Sequence, residues 1–458
     1  MQQVDIADIM TRQREFFAAG KPRQLAFRIQ QLKKLKSAVK EMESELLEAL
    51  RKDLRKPALE AYAGEIGFVY EEIDHALAHI HTWAQPRTVP TPLVLMPSSS
   101  RVHPQPKGTV LIIGPWNYPF QLVVAPLVAA MTAGNCAVLK PSEMTPETSR
   151  ALARLVERSF SPEYCALVEG GVEKASALLA QRFDHIFFTG STQVGRVVLR
   201  AAAEHLTPVT LELGGKSPAI VDDDVDIEVV ARRIAWGKFY NAGQTCVAPD
   251  YLLVPRALKS DLLKALQRQV RAFYGENPRE SPDFARIVNH RHFDRLAGLL
   301  GEGEIVTGGE TDRNDLYIAP TIIGGVTMDA KIMEDEIFGP LLPVLVYDSL
   351  DQALALVRQR PDPLACYVFT RRQATEERVI QELPFGGGCI NNALLHLSNP
   401  DLPFGGIGPS GMGHYHGLYG FATFSHHKAI MRSSMRFDIK LKYPPYGTKL
   451  KLLRRLIK

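Results

Sequence analysis

From Gly108 to Leu139 the chain carries no charged residue at all, and a run of that length has to be hidden from water. Two environments can hide it: a bilayer, which such a stretch is long enough to cross, or the interior of a large domain. Pro115, Asn117 and Pro126 interrupt the run, and Thr132-Ala133-Gly134-Asn135 reads as a turn. These breaks divide it into a strand, a helix and a second strand, so burial inside a domain is expected and a membrane span is the weaker alternative. At 458 residues the chain can bury such a core without disulfides or a structural metal.

The same pattern continues downstream. TVLIIG (109–114), CAVLKP (136–141), CALVEG (165–170) and HIFFTG (185–190) are short apolar runs ending in Gly or Pro, and helical patterns separate them around 121–133, 146–160, 173–180 and 192–203. Short buried strands alternating with amphipathic helices imply right-handed crossovers and a parallel sheet, the doubly wound α/β layout of nucleotide-binding domains. A second α/β segment runs from about 213 to 430, with apolar strands at 251–254, 343–347, 366–370 and 388–391. Ahead of both, Leu25, Ile29, Leu32, Leu35 and Val39 recur at helical steps, with Lys33, Lys34, Lys36 and Lys40 on a solvated face. Pro86 to Pro106 is rich in Pro and Ser and reads as a linker or an extended excursion.

Charge and cysteine usage narrow the partners. Lys plus Arg is 54 against 50 for Asp plus Glu, a net charge of +4, which gives no support for nucleic-acid binding. Cys136, Cys165, Cys246, Cys366 and Cys389 are odd in number and far apart, with no CxxC or Cys/His cluster, so neither a metal site nor a disulfide framework is expected. They suit a reducing compartment, and the N-terminal MQQVDIADIMTRQREFF lacks an apolar signal region, so the expected location is cytoplasmic. The basic ending LKLLRRLIK sets Leu450, Leu453 and Ile457 among Lys451, Arg454, Arg455 and Lys458. It reads either as a frayed solvated tail or as a helix making peripheral membrane contact.

Six strings carry chemistry. Gly190-Ser191-Thr192-Gln193-Val194-Gly195 sits where a strand gives way to a helix, a place whose free N–H groups favour an anion, although ordinary turns look similar. In Leu211-Glu212-Leu213-Gly214-Gly215-Lys216, a carboxylate between leucines is either solvent-facing or buried, and burial would raise its pKa towards that of a proton acceptor working near neutrality. Cys246 follows a Gly243-Gln244-Thr245 turn, where a loop thiol near a helix end can be a low-pKa nucleophile as well as a packing residue. Asn117, in Gly114-Pro115-Trp116-Asn117-Tyr118-Pro119, is held between rings and can donate to a developing oxyanion. Lys140-Pro141-Ser142-Glu143 lies at a strand end, where open sheets bind ligands. Glu334-Asp335-Glu336-Ile337-Phe338-Gly339-Pro340 places an acid near an aromatic ring.

Taken together and in this order, these strings resemble the aldehyde dehydrogenase superfamily from about Leu50 to Phe424. Met96-Pro97-Ser98-Ser99-Ser100, Ile234-Ala235-Trp236-Gly237-Lys238-Phe239 and Leu402-Pro403-Phe404-Gly405-Gly406 resemble its class 3 branch of fatty and aromatic aldehyde dehydrogenases. The resemblance implies that Cys246 is the nucleophile, Glu212 the general base and Asn117 the oxyanion donor, with the backbone N–H of Cys246 assisting. It also implies that Trp116, Lys140, Glu143, the Gly190–Gly195 loop, Glu336 and Phe338 bind NAD, with NADP use left open. None of these positions departs from the family pattern.

The resemblance further implies a doubly wound Rossmann-type cofactor domain (1–85 and 107–212) and an α/β catalytic domain (213–430). A β oligomerisation arm with the basic tail (86–106 and 431–458) completes the layout, and class 3 relatives suggest a homodimer. The implied reaction takes an aldehyde through a thiohemiacetal and a thioester to a carboxylic acid. Tyr118 and Phe404, with Phe120 and Leu395, are candidates for an apolar substrate channel, simple packing being the even alternative. Two other classes stay open: a coenzyme A-acylating dehydrogenase, whose members generally lack the Glu212 equivalent, and a non-enzymatic binding protein on the same fold.

Overall fold

The computed structural model describes residues 5–438 and 440–456. Met1 to Val4 of the N-terminal string and Ile457 and Lys458 of the basic tail lie outside the described residues. In chain order the strands are β1 (Arg87–Val89), β2 (Ser98–Pro106), β3 (Thr109–Ile113), β4 (Cys136–Lys140), β5 (Cys165–Leu167), β6 (His185–Thr189) and β7 (Val209–Glu212). Then come β8 (Pro218–Val221), β9 (Tyr251–Pro255), β10 (Glu304–Thr307), β11 (Thr311–Asp312), β12 (Tyr317–Ile318), β13 (Thr321–Gly324) and β14 (Leu341–Tyr347). The last four are β15 (Ala365–Phe369), β16 (Gly387–Ile390), β17 (Gly411–Met412) and β18 (Ser425–Ser433).

Strands β3, β4 and β6 are buried along their whole length, as expected of strands covered by helices on both faces. They form the centre of a sheet ordered β17-β7-β6-β3-β4-β5, parallel except for β17. The connecting helices are Gln121–Ala133, Pro146–Ser159, Val172–Leu179 and Thr192–Ala203. Every residue of Gln121–Ala133 is buried, so the charge-free run lies inside the protein, and Gly134 ends the helix at φ 93°. Pro126 falls within this helix, where the sequence suggested a break. Packing on all sides outweighs the one backbone hydrogen bond that a proline removes. Among the described residues no helix is long and apolar enough to cross a membrane.

The second sheet is ordered β10-β13-β14-β9-β8-β15-β16, parallel except for β10. A third sheet, β1-β2-β18, is antiparallel, and β18 pairs with β2 from Ser425↔Pro106 to Ser433↔Ser98. The expected boundary at 430 therefore falls inside a strand. Residues 411–424 also leave the second sheet: β17 pairs with β7, Gly411 opposite Glu212, and Phe424 stacks on Phe187 of β6. The physical reason is edge protection, since β7 would otherwise present unpaired backbone groups. In the helix Leu25–Glu41, Leu32, Leu35 and Val39 are fully buried while Lys33, Lys34 and Lys40 are exposed, as the spacing predicts. The tail forms a short helix, Lys449–Leu456, with Leu450 and Leu453 exposed.

Candidate active site

Strand order reverses at β3, which has β4 on one side and β6 on the other. In open α/β sheets the crevice outside such a reversal, at the carboxyl ends of the strands, is where ligands bind. Gly114 follows β3 and Gly190 follows β6, so the Trp116–Asn117 loop and the Gly190–Gly195 loop leave the sheet side by side. The Gly190 N–H donates to the Glu212 carbonyl (3.0 Å), which brings the end of β7 to the same place.

The residues expected to hold a dinucleotide line this crevice. Ser191 caps the helix Thr192–Ala203, its Oγ accepting from the Val194 N–H, and Ser191, Gln193 and Val194 are exposed. That leaves the Thr192 and Gln193 N–H groups at an open helix N-terminus, a site suited to a pyrophosphate. Gly195 allows the helix to lie against Leu213: a Cβ there would stand 2.7 Å from Leu213 Cδ2. Lys140, at the end of β4, is almost fully buried and donates to the Pro141 carbonyl (2.6 Å) and to Glu143 Oε2 (3.3 Å). A paired ammonium and carboxylate at a strand end offer a donor and an acceptor to ribose hydroxyls. Trp116 meets Phe338 edge to face at 5.1 Å, which joins the β3 loop to the Glu336–Phe338 loop. Phe338 holds φ at +51°, a backbone conformation that costs a non-glycine residue about 1–3 kcal/mol. The donor set and the open helix N-terminus thus fit a nicotinamide dinucleotide.

Cys246 follows a tight turn, Tyr240–Gly243, in which Asn241 and Ala242 have φ near +50°. Glu60 helps to hold that turn, its Oε2 accepting from the Asn241 N–H at 2.8 Å. Asn117 is buried, and its Nδ2 donates to the Gln244 carbonyl (3.0 Å), so the amide is fixed against the cysteine turn. Gly243 must be glycine: φ is +72°, and a Cβ would lie 2.3 Å from the Gly339 carbonyl oxygen. Gly214 similarly admits Glu336, whose Oε2 would stand 1.9 Å from a Cβ at that position. Close backbone approaches thus bring four separate strings to one place.

Electrostatics at this place correct one expectation. Cys246 is not a low-pKa thiol here: burial pushes it up, and Glu336 and Glu212 push it further. Glu212 is buried, and neither carboxyl oxygen has a hydrogen-bond partner among the described residues, so burial holds its pKa well above the usual carboxylate range. Glu336 is pushed up to about 8 by burial and by Asp250, against the opposing pull of the Gly215 N–H, Lys216 and Arg295. Burial thus disfavours the charged form of all three groups, and the two carboxyls further disfavour the thiolate.

The channel candidates separate. Tyr118 is buried, and its hydroxyl bonds to Thr245 Oγ1 at 2.7 Å, directly beneath the cysteine turn. Phe404 is buried and stacks on His416 at 5.3 Å. Phe120 is wholly enclosed in the core, a packing residue, whereas Leu395 is exposed. Sequence reading missed Lys56, Glu60, Glu65 and His292. Lys56 donates to the Asn117 carbonyl (3.0 Å), and His292 packs against Trp116 at 5.0 Å. Lys56 lies in a polar stretch, RKDLRKP, with no local signal to set it apart from its solvated neighbours.

Comparison with known proteins decides the family. The model of the aldehyde dehydrogenase family matches residues 1–430. The chain belongs to the aldehyde dehydrogenase family. It is 50% identical over 445 residues to 4,4'-diaponeurosporen-aldehyde dehydrogenase of Staphylococcus aureus, covering 97% of each chain. It is 46% identical over 436 residues to mouse aldehyde dehydrogenase family 3 member A2, covering 95% of this chain and 90% of the relative. Among solved structures, the substrate-bound state of Staphylococcus aureus AldH superposes with a TM-score of 0.97 at 48% identity, with full coverage of both chains. A Mycobacterium tuberculosis aldehyde dehydrogenase complexed with NAD+ gives 0.84 at 28% identity, covering 94% and 91%. This aldehyde dehydrogenase is therefore an oxidoreductase that converts aldehydes to carboxylic acids with a nicotinamide cofactor, NAD or NADP, and its relatives include class 3 enzymes.

Proposed function

We propose that this aldehyde dehydrogenase oxidises apolar aldehydes, medium- or long-chain aliphatic or aromatic, with NAD preferred, and that Cys246, Glu212 and Asn117 carry the chemistry. The observation that supports this reading above all is the convergence of the Asn117 loop, the Cys246 turn, Glu212 and Glu336 outside the carboxyl ends of β3, β6 and β7. Cys246 Sγ loses its proton to solvent and bonds to the aldehyde carbon, the C=O π bond opening to the oxyanion of a thiohemiacetal. The developing oxyanion accepts from the second Asn117 Nδ2 hydrogen, the first being fixed on Gln244, and from the Cys246 N–H. One such donor is worth about 3–4 kcal/mol of barrier. NAD, when held by Lys140, Glu143, the Gly190–Gly195 loop and Glu336, would supply the acceptor for the hydride that the former carbonyl carbon must lose for the thiohemiacetal to become an acyl thioester on Cys246. Glu212 then takes a proton from water, the hydroxide oxygen bonds to the acyl carbon, and the C–S bond breaks to release the acid, the departing thiolate recovering the proton from Glu212 to restore the thiol.

The preference for NAD rests on Glu143, whose carboxylate can accept from a ribose 2′-hydroxyl and would repel a 2′-phosphate. The preference for apolar aldehydes rests on Tyr118 and Phe404 beside the cysteine turn and the His416 ring. A panel of aldehydes assayed with NAD and with NADP tests both, and the largest kcat/KM is expected for apolar substrates with NAD. Preference for small charged semialdehydes, or equal use of the two cofactors, would contradict it.

The division into a cofactor unit (1–85 and 107–212), a catalytic unit and an arm is part of the same reading, with the three-stranded β1-β2-β18 sheet as the arm's rigid part. Leu93, Val94, Leu95 and Met96, between β1 and β2, are exposed together with Ile430 and Met431 of β18, an apolar surface that pairing of two subunits would cover. Sedimentation should return about twice the 50.9 kDa chain mass. The same particle should pellet with anionic vesicles only while residues 444–458 are present. A monomer, or vesicle binding that survives the truncation, would refute these two assignments in turn.

A further inference from the structure

Lys56, in the link between the helices Glu43–Leu54 and Ala58–Ala61, and Glu65, in the wide turn Tyr62–Ile66, form an ion pair at 2.5 Å with both side chains fully enclosed. A buried pair of this kind adds little net stability over apolar residues of the same volume. What sets this pair apart is where its other bonds go. Lys56 Nζ donates to the Asn117 carbonyl (3.0 Å) and lies 4.2 Å over the Tyr118 ring. Glu65 Oε2 accepts from the N–H groups of Phe120 (2.9 Å) and Gln121 (3.2 Å). All the remaining bonding capacity thus falls on the five residues from Asn117 to Gln121.

The same short segment also reaches the nucleophile's turn. Glu60 Oε2 accepts from the Asn241 N–H, and Asn241 Nδ2 donates to the Asn117 carbonyl (3.0 Å) and to the Gln244 carbonyl (3.2 Å). The Asn117 carbonyl therefore receives one donor from each side. Rotation of this peptide would carry the Asn117 side chain with it. We propose that Lys56 and Glu65 are the positioning residues of the oxyanion donor: they fix the Asn117–Gln121 loop so that the amide points at the acyl carbon bound to Cys246. The proposal rests on the role given to Asn117 above and extends it to two residues that touch neither substrate nor cofactor.

The test is a double-mutant cycle on the full-length enzyme, read by the rate of the first hydride burst in stopped flow and by the dissociation constant for NAD. The variant Lys56→Met/Glu65→Gln leaves no orphaned charge and keeps an acceptor for Phe120 and Gln121. It should slow the burst about 10²-fold, the scale of a misplacement near 1 Å, with NAD affinity unchanged. Asn117→Ala alone should slow the burst about 10²- to 10³-fold. In that background the pair variant should add less than about twofold, because the two changes remove one interaction. Equal slowing in both backgrounds, or no slowing in either, would overturn the positioning role. A full-rate burst from Asn117→Ala would instead remove Asn117 from the chemistry, so the two failures are told apart. Should the double variant not fold, Lys56→Arg keeps the charge while displacing the loop, and the same cycle applies to it.

Discussion

Cys246→Ala is expected to lose about 10⁶-fold in aldehyde turnover, the scale on which removal of a covalent nucleophile is felt. NAD should still bind, because most of the proposed cofactor residues lie on the loops after β3, β4 and β6, and alanine at 246 leaves Glu336 and Phe338 in place. The check is NADH absorbance with an aldehyde at saturation, paired with a fluorescence titration of NAD. Retained turnover would sink the assignment. The wild-type thiol has a further signature. Burial and two neighbouring carboxyls, Glu336 and Glu212, push its pKa up, so alkylation by iodoacetamide in the absence of ligands should be slow at neutral pH and accelerate as pH rises.

Glu212→Gln is expected to give one rapid burst of NADH and then stall, with the steady state about 10²- to 10⁴-fold down. Glutamine keeps the shape and a dipole at the end of β7 but cannot take a proton from water, so only thioester hydrolysis should suffer. Mass spectrometry of the stalled enzyme should show the acyl group on Cys246. The pH dependence has a definite sign. Burial raises the Glu212 pKa and the carboxylate is the working form, so the wild-type hydrolysis rate should keep climbing with pH beyond the range in which an exposed carboxyl has fully ionised. The variant should lack that limb. A normal steady state, or an unchanged pH profile, would take Glu212 out of the mechanism.

Much of this molecule was legible in the sequence because its information is local. Apolar runs ending in glycine or proline marked β3, β4 and β6, and the spacing of Leu32, Leu35 and Val39 marked a buried helical stripe. What failed depended on residues distant in the chain. The turn before Cys246 allows an acidic thiol as well as a packing one, and what decides is burial together with Glu336 and Glu212, which no window around Cys246 contains. Lys56 looked like any lysine in a charged stretch, and only the fold carries it to Asn117. Phe120 and Leu395 looked alike as loop hydrophobics, but one packs in the core and the other faces water. The return of residues 411–433 to β7 and β2 was hidden for the same reason, since edge pairing is decided by which strand is left uncovered.

The approach of Gly243 to the Gly339 carbonyl has a meaning for how this sequence can change. No side chain fits between the two backbones, so the strings Gly243-Gln244-Thr245-Cys246 and Glu336-Ile337-Phe338-Gly339 are two halves of one joint. Neither half can drift on its own. A substitution that swells one of them displaces the other, and the wall behind the thiol moves with the floor beneath the acid.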